Sequence, residues 1–325
     1  MVLVANPATL GLSWTDQPGA TVTSGALGTY TITGSEAAIR SVLGTLVATP
    51  PSHVIGSFSI DVTVTSSESS PSEPGEVAVL SASTSFNIPV NVSAVADPPT
   101  LSTVAASGNE DTAIPFGTSI TYALVDTDGS EVISSVVLSG FPAGAAVTYV
   151  AASGSTVSVV AGSWTISGDQ AAIRSTLDSF AVQAAANADG NFAIDVAVTS
   201  TDSGVSSATT SGTIPILVRA VADAPTASGS GTGAEDTAIP LIIAMADTDT
   251  DGSQSITAVT INGVPPGGSL NWTNASGATV TNLGGGAYTI AGSETAIRAV
   301  LGTVSLTPPL NPVSYTHLTL PTKRI

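Results

Sequence analysis

The stretch TITGSEAAIRSVLGTL at residues 31–46 returns as TISGDQAAIRSTLDSF at 165–180 and as TIAGSETAIRAVLGTV at 289–304. A chain that repeats itself at this distance must fold as a string of like units, each closing its own core, so the repeat is read before any local motif. Arg40, Arg174 and Arg298 mark the copies, 134 and 124 residues apart. AVADPPT at Ala94 is echoed by AVADAPT at Ala220, and EDTAIP at Glu110 by EDTAIP at Glu235. The period is about 125 to 130 residues, an ordinary domain size.

On this register the expected units are 1–95, 96–221 and 222–312. The middle one carries every motif of the set. The first is expected to be cut at its N-terminus, lacking counterparts of EDTAIP and DTDGS, and the third at its C-terminus, before a counterpart of FAIDVAVTSTDSG at Phe192. Residues 313–325 carry Lys323 and Arg324 after a body without lysine, fit no copy, and resemble a translated sequencing-adaptor end, so they are set aside as a non-native tail.

Within a copy, runs such as SFNIPVNVSAV, FAIDVAVTS and GTIPILVRAV place β-branched residues between Gly, Pro, Asp and Ser. About seven such strands per copy predict an all-β fold of tandem immunoglobulin-like or cadherin-like sandwiches. One short helix per copy is expected in GSEAAIRSVLG, with Ser35 as N-cap, Ile39 and Leu43 on one face, and Gly44 as the stop. Tyr30, Trp164 and Tyr288 share one aligned position, and Trp14, Tyr149 and Trp272 another. With aromatics at only 4% of residues, rings that return at fixed places read as core.

Charge is scarce and one-sided. Net charge is −18 with only six Lys and Arg among 325 residues, which excludes the basic face that nucleic-acid binding needs. There is no cysteine, so no disulfide framework, thiolate metal site or thiol nucleophile is available. No run of about 18 apolar residues predicts membrane insertion, and the N-terminus has no signal-peptide pattern. No G-x-S-x-G, H-E-x-x-H or phosphate-cradling loop occurs, and His53 is the one histidine outside the tail, so an enzyme is not expected.

The acidic residues are instead clustered. Asp97, Glu110, Asp111, Asp126, Asp128 and Glu131 form one set, and Asp223, Glu235, Asp236, Asp247, Asp249 and Asp251 the other. Oxygen donors without Cys or His in the set suit a hard cation with six to eight ligands, Ca2+ before Mg2+, which keeps its water. DTDTDG at Asp247 imitates the opening of an EF-hand loop, but Ala258 stands where the bidentate Glu is needed, so an EF-hand is rejected. Any single DTDG is also a good solvated turn; three acidic motifs returning together in order favour metal. Asp111 to Asp126 and Asp236 to Asp247 read as strand-like segments of roughly 33 to 46 Å, which puts EDT and DTDG at opposite ends of one unit.

An ion would therefore bridge successive units. At the second junction Glu110, Asp111, Asp223, Asp247, Asp249 and Asp251 are the expected ligands; at the first, Asp97, Asp126, Asp128 and Glu131 with Glu68 of the first copy. The order VADxPT, EDTAIP, DTDGSE, GFPAGA, GSWTISG and AAIR resembles the cadherin-like tandem repeats of giant bacterial surface adhesins of the repeats-in-toxin class, exported by type I secretion, over essentially residues 1–312. That resemblance implies calcium-stiffened extender modules at the bacterial cell surface, serving adhesion and biofilm formation, with neighbouring repeats of the same chain as partners and host or surface glycans bound through other domains. The third copy departs at Gln254, where the middle one has Glu131. The competing reading is a carbohydrate- or other ligand-binding extracellular module using the Trp14 and Trp272 hairpins.

Overall fold

The computed structural model describes residues 1–71, 77–126, 128–234, 236–249 and 252–310. Glu235, Asp251 and the 313–325 tail lie outside the described residues. Three separate hydrophobic cores form, one per copy of the repeat, and the architecture is all-β with one short helix in each.

The middle unit shows the complete arrangement. A six-stranded sheet runs in the order Ser155–Val160, Ser163–Gly168, Glu131–Ser139, Phe192–Asp202, Ser206–Arg219, Ala106–Asn109. Its last pairing is parallel, Ile216 to Arg219 lying against Ala106 to Asn109; the other pairings are antiparallel. Facing it are a three-stranded sheet, Ile114–Pro115, Ala181–Gln183, Ala146–Thr148, and a two-stranded one, Thr100–Thr103 with Ile120–Ala123. Ile194, Val196, Val198, Ile214 and Ile216 of the large sheet meet Ile114, Ile120 and Val182 of the small ones in one core. Alternation drives this: in Phe192–Asp202 every second residue is buried from Ile194 onward.

The first unit repeats the order with Ala20–Ser24, Thr29–Gly34, Val2–Asn6, Gly56–Pro71 and Val77–Val92. Among the described residues no strand covers the outer side of Val77–Val92. Ile88 is therefore 38% exposed, whereas Ile214, its counterpart in the middle unit, is fully buried. The third unit keeps the Ala258–Ile261, Ala287–Gly292, Ala278–Gly284 sheet and its facing strands.

Helices occur where the repeated motif places them, at Glu36–Leu43, Gln170–Asp178 and Glu294–Leu301. Ser35 and Ser293 accept hydrogen bonds from the amides of Ala38 and Ala296, as N-caps do. Gly44 is the stop as expected, and one detail differs, the buried face. Gly44 ends the first helix in a right-handed conformation, φ −64°, because Thr45 turns back onto Val42 through its own hydroxyl and amide. The buried stripe is Ala38 and Val42, with Ile39 and Leu43 only partly covered.

The aromatics pair edge to face in every copy: Trp14 with Tyr30, Tyr149 with Trp164, and Trp272 with Tyr288, at centroid distances of 5.6, 5.5 and 6.0 Å. Such pairs add to the apolar burial itself. The indole N–H groups of Trp14 and Trp272 donate to Asp16 and Asn274, so both rings are fixed within their own hairpins.

The segment from Asp111 to Asp126 is not one strand. Ile114–Pro115 pairs in one small sheet, a 3-10 turn at Gly117–Ser119 intervenes, and Ile120–Ala123 pairs in the other. Gly117 makes the crossing possible, since a Cβ there would fall 1.7 Å from the Leu177 carbonyl oxygen. The chain ends still lie far apart, because the 11 residues of Phe192–Asp202 span about 36 Å between them.

Replacing fully buried Ile214 with Ala should cost the middle unit about 2 to 5 kcal/mol. Ile88→Ala at the matching position should cost the first unit less than half of that. Urea unfolding followed by hydrogen exchange in each unit measures the contrast.

Candidate metal centre

The first joint lies where the linker after Val77–Val92 enters the middle unit. Glu131 and Asp202 begin and end neighbouring strands and stand directly opposite each other in the ladder. Both continue the inward-facing register, Glu131 ahead of Ile133 and Asp202 after Val198 and Ser200, and both are almost wholly buried, at 3% and 1% exposure. Like charges directly opposite on adjacent strands repel, and a buried charge is costly unless paired. Glu131 Oε1 accepts the Asp97 amide at 2.8 Å and Asp202 Oδ1 accepts the Ser203 hydroxyl at 3.1 Å. Glu131 Oε2 and Asp202 Oδ2 are buried with no hydrogen-bond partner. Neither residue forms an ion pair with a described Lys or Arg.

Two further carboxylates complete the wall. Asp126 is buried and accepts the Asp128 amide, while Asp128 accepts the Ser130 amide and hydroxyl, so the turn is knitted from within. Gly129, at φ 90°, supplies the left-handed residue this turn requires. The Ser130 hydroxyl and then its amide hold the Asp128 carboxyl below the usual carboxylate range, helped by the Ile55 amide of the first unit. Asp97 is pinned by its carbonyl to the Ser200 hydroxyl. From the first unit, the Pro50, Pro51, His53, Val54 and Ile55 loop closes a cavity of about 280 Å³ lined also by Asp97, Asp126 and Asp202. His53 Nδ1 lies 2.7 Å from Asp97 Oδ2, and the ligand-type atoms of His53, Asp97 and Asp126 all fall within 4.8 Å of one another.

The second joint has the same plan with different side chains. The Asp223 amide donates to Gln254 Oε1, as the Asp97 amide does to Glu131, and Gln254 Nε2 donates back to the Asp223 carbonyl. Asp249 is buried at the position of Asp126, with the Ser253 hydroxyl on its Oδ2 at 2.8 Å. Glu110, 2% exposed, accepts the Val221 amide through Oε1 and leaves Oε2 buried without a partner. Asn187 links the units, taking Asp111 Oδ1 on its amide and donating its side chain to the Thr248 carbonyl.

Asp247 faces another way. It is the extra acid of DTDTDG and stands beside Glu294, whose carboxyl is held below its ordinary range first by hydrogen bonding to Arg298 and further by the Ile256 amide and Asp247. Asp247 Oδ1 is nonetheless buried without a partner. Asp111 and Asp236 both adopt left-handed backbone, φ 56° and 58°, while Thr112 and Thr237 close the turn onto the carbonyls three residues earlier. EDT is thus a turn whose buried ligand-type group in the middle unit is Glu110.

Of the twelve acids expected from sequence, Asp97, Asp126, Asp128 and Glu131 gather at the first joint. Glu110, Asp111, Asp223 and Asp249 gather around the second; Asp247 turns instead toward Glu294; Asp236 sits in the far turn of the third unit; and Glu235 and Asp251 lie outside the described residues. Two participants were missed. Asp202 was legible as the last member of the alternation Ile194, Val196, Val198, Ser200, Asp202; His53 carried no signal beyond being a lone histidine. Glu68 is corrected: it is the counterpart of Asp202 and pairs with Leu80, at the opposite end of the ribbon from Gly56 and Val92, which lie at the joint. Twelve residues of strand, about 40 Å, separate it from the first joint.

The recurring arginines also find a role. Arg174 donates to the carbonyls of Ile120 and Gly117, pairs with Asp178 and lies 5.2 Å over the Tyr122 ring; Arg298 donates to the Met245 carbonyl and to Glu294. Each ties its helix to the strand that feeds the acidic turn. Burial pushes the Tyr122 hydroxyl up from its ordinary pKa, against the opposing pull of Arg174. Among the described residues Arg40 pairs with Glu36 alone, exposed to solvent.

No protein-family model and no curated protein matches the chain. Among solved structures, extracellular cadherin domains 3–6 of protocadherin gamma B2 are 12% identical with a TM-score of 0.32, over 94% of this chain and 61% of that one. Mouse cadherin-23 EC22–24 is 11% identical with a TM-score of 0.29, over 88% of this chain and 76% of that one. Domains 4–9 of the surface layer protein SbsC are 13% identical with a TM-score of 0.22, over 87% and 43%. The chain spans about three-fifths of the protocadherin fragment it matches.

Asp202→Asn removes one charge of the buried pair. In chelator it should stabilise the middle unit by roughly 1 kcal/mol, the scale of a cross-strand charge clash. In millimolar calcium it should lose most of the stabilisation that the unaltered chain gains. Urea midpoints with and without calcium check both signs.

Proposed function

We propose that the chain is a run of extender modules from a large bacterial cell-surface adhesin, joined end to end through divalent cations, calcium foremost. The observation that carries this is the pair of buried, partnerless oxygens Glu131 Oε2 and Asp202 Oδ2, set beside Asp97 and Asp126 where two units meet. A hard cation accepts six to eight oxygens and neutralises the carboxylates around it.

Asp97, Asp126, Glu131 and Asp202 would hold the ion at the first joint, with Asp128 at its rim. At the second joint Glu110, Asp223 and Asp249 would do so, and Gln254 offers an amide oxygen in place of a carboxylate. The chain's own contribution is orientation. Asp97 and Asp223 are fixed by their amides, Asp126 and Asp128 by the turn, and the helix arginines steady the strand behind that turn. At the second joint the donors come from the linker and from units on both sides, so binding restricts the hinge; at the first they fix the linker to the middle unit, whose Asp128 also takes the Ile55 amide of the first unit. Modules of this kind outside the cell bind calcium at about 10⁻⁴ to 10⁻³ M, so the string would be loose at cytosolic levels and stiff outside.

This reading assigns the chain no catalysis and no nucleic acid, in keeping with its −18 charge. Among the described residues no helix is long and apolar enough to cross a membrane. Biofilm support, type I export and glycans bound through other domains belong to the same proposal.

Small-angle scattering on the full chain tests it. Adding calcium should lengthen the maximum dimension and narrow the spread of shapes. Melting temperature should rise with calcium as RT ln(1 + [L]/Kd) requires, about 2.7 kcal/mol at 100 Kd. An unchanged dimension and melting point would remove the proposal.

A further inference from the structure

The two joints differ at one side chain that reaches across them. His53 and Asn187 each stand five residues before a phenylalanine near the start of the next long strand, Phe58 in Gly56–Pro71 and Phe192 in Phe192–Asp202. Both adopt left-handed backbone, φ 57° and 56°, a conformation in which Asn and His are enriched among non-glycine residues. Each points over its joint. Asn187 reaches the Thr248 carbonyl, whereas His53 reaches the Asp97 carboxylate. The repeat thus fixes the position, and the choice of side chain sets what it offers: an amide at the second joint, an imidazole at the first.

That imidazole lies in a prepared place. With Asp97, Asp126 and Asp202 it lines the same cavity of about 280 Å³. Asp202 there is 99% buried, its Oδ2 lacks a partner, and the adjacent Glu131 Oε2 lacks one too. Ligand atoms sharing a first-row ion at about 2.1 Å can be no more than about 4.2 Å apart. Those of His53, Asp97 and Asp126 are already within 4.8 Å of one another, so a side-chain adjustment of a few tenths of an ångström closes the set. Imidazole nitrogen is a ligand for zinc, copper, iron and nickel, while calcium takes oxygen.

We propose that His53, Asp97 and Asp126, with the partnerless Asp202 carboxylate lining the same cavity behind them, make the first joint a mixed nitrogen and oxygen site for a first-row divalent transition ion such as Zn2+, for which Co2+ is the spectroscopic stand-in. The second joint, with Asn187 in the equivalent place, stays an all-oxygen site. This rests on the reading of the joints as divalent-cation sites and adds which ion each one selects. In an array of such modules, the identity of one loop residue would then set the ion to which each hinge responds.

The test compares the full chain with His53→Asn, which copies the second joint and keeps the left-handed preference. His53 is exposed, and the calcium response of the variant reports that it is folded. Each protein, stripped of metal, is titrated with Co2+, Zn2+ and Ca2+, using visible absorption and paramagnetically shifted ring protons for Co2+ and calorimetry for all three. The unaltered chain should show one shifted imidazole on Co2+ binding, absent from the variant. The substitution should weaken Co2+ and Zn2+ by roughly tenfold or more, the scale of losing a metal-site interaction, and leave Ca2+ affinity unchanged. If Co2+ and Zn2+ bind the variant as well as the unaltered chain while Ca2+ still binds, the imidazole is not a ligand and only this inference falls. A shifted ring proton that persists in the variant belongs to His317 and overturns the assignment. If none of the three ions binds either protein, the joint reading falls with it.

Discussion

Two carboxylates, Glu131 and Asp202, face each other from neighbouring strands inside the end of a β-sandwich. A hydrophobic register carried to its last step would put two apolar residues there. The chain instead places like charges where repulsion is least screened. Most other features of the joint serve this pair: the Asp97 amide on Glu131, the Ser200 hydroxyl on the Asp97 carbonyl, and the self-bonded turn that presents Asp126. Such an arrangement costs an isolated module stability, and the proposed cation would neutralise it.

The second joint shows how this theme varies. Replacing Glu131 by Gln254 keeps the hydrogen bond to the linker amide and removes one negative charge. The third unit also shifts its first aspartate, Asp247, toward Glu294 and the helix, two residues ahead of the position that Asp249 shares with Asp126. The repeat therefore conserves the backbone bonds that set the linker and lets the charge count drift. The charge facing each joint can change from copy to copy without rebuilding the fold.

Sequence carried the fold well, because period and alternation are properties of the chain itself. The copies, the capped helices behind Ser35 and Ser293, and the aromatic positions follow from residue spacing. The strand expected from Asp111 to Asp126 failed, since the crossing at Gly117 depends on how closely Leu177 approaches, a tertiary fact. At the site, the acidic turns and the joint that most of them reach were legible, and the cross-strand partner of Glu131 was not. Asp202 lies 71 residues from Glu131, and only the ladder brings them opposite. Glu68 was misplaced for the same reason: strand direction, which decides the end of the module an acid reaches, is invisible until the pairing is known. His53 had no motif around it; its place is defined by a left-handed turn shared with Asn187.

The parallel pairing of Ala106–Asn109 with Ser206–Arg219 joins the first stretch of the middle unit's large sheet to its last. One of these strands follows closely on the linker at Asp97, and the other runs straight into the linker at Asp223. A pull on the two ends of the module therefore drags these strands past each other lengthwise. Their hydrogen bonds lie across the load and must yield together, as in a lap joint, rather than one at a time as in a peeled seam. A tether built from such units would resist tension with the part of each module nearest the line of force.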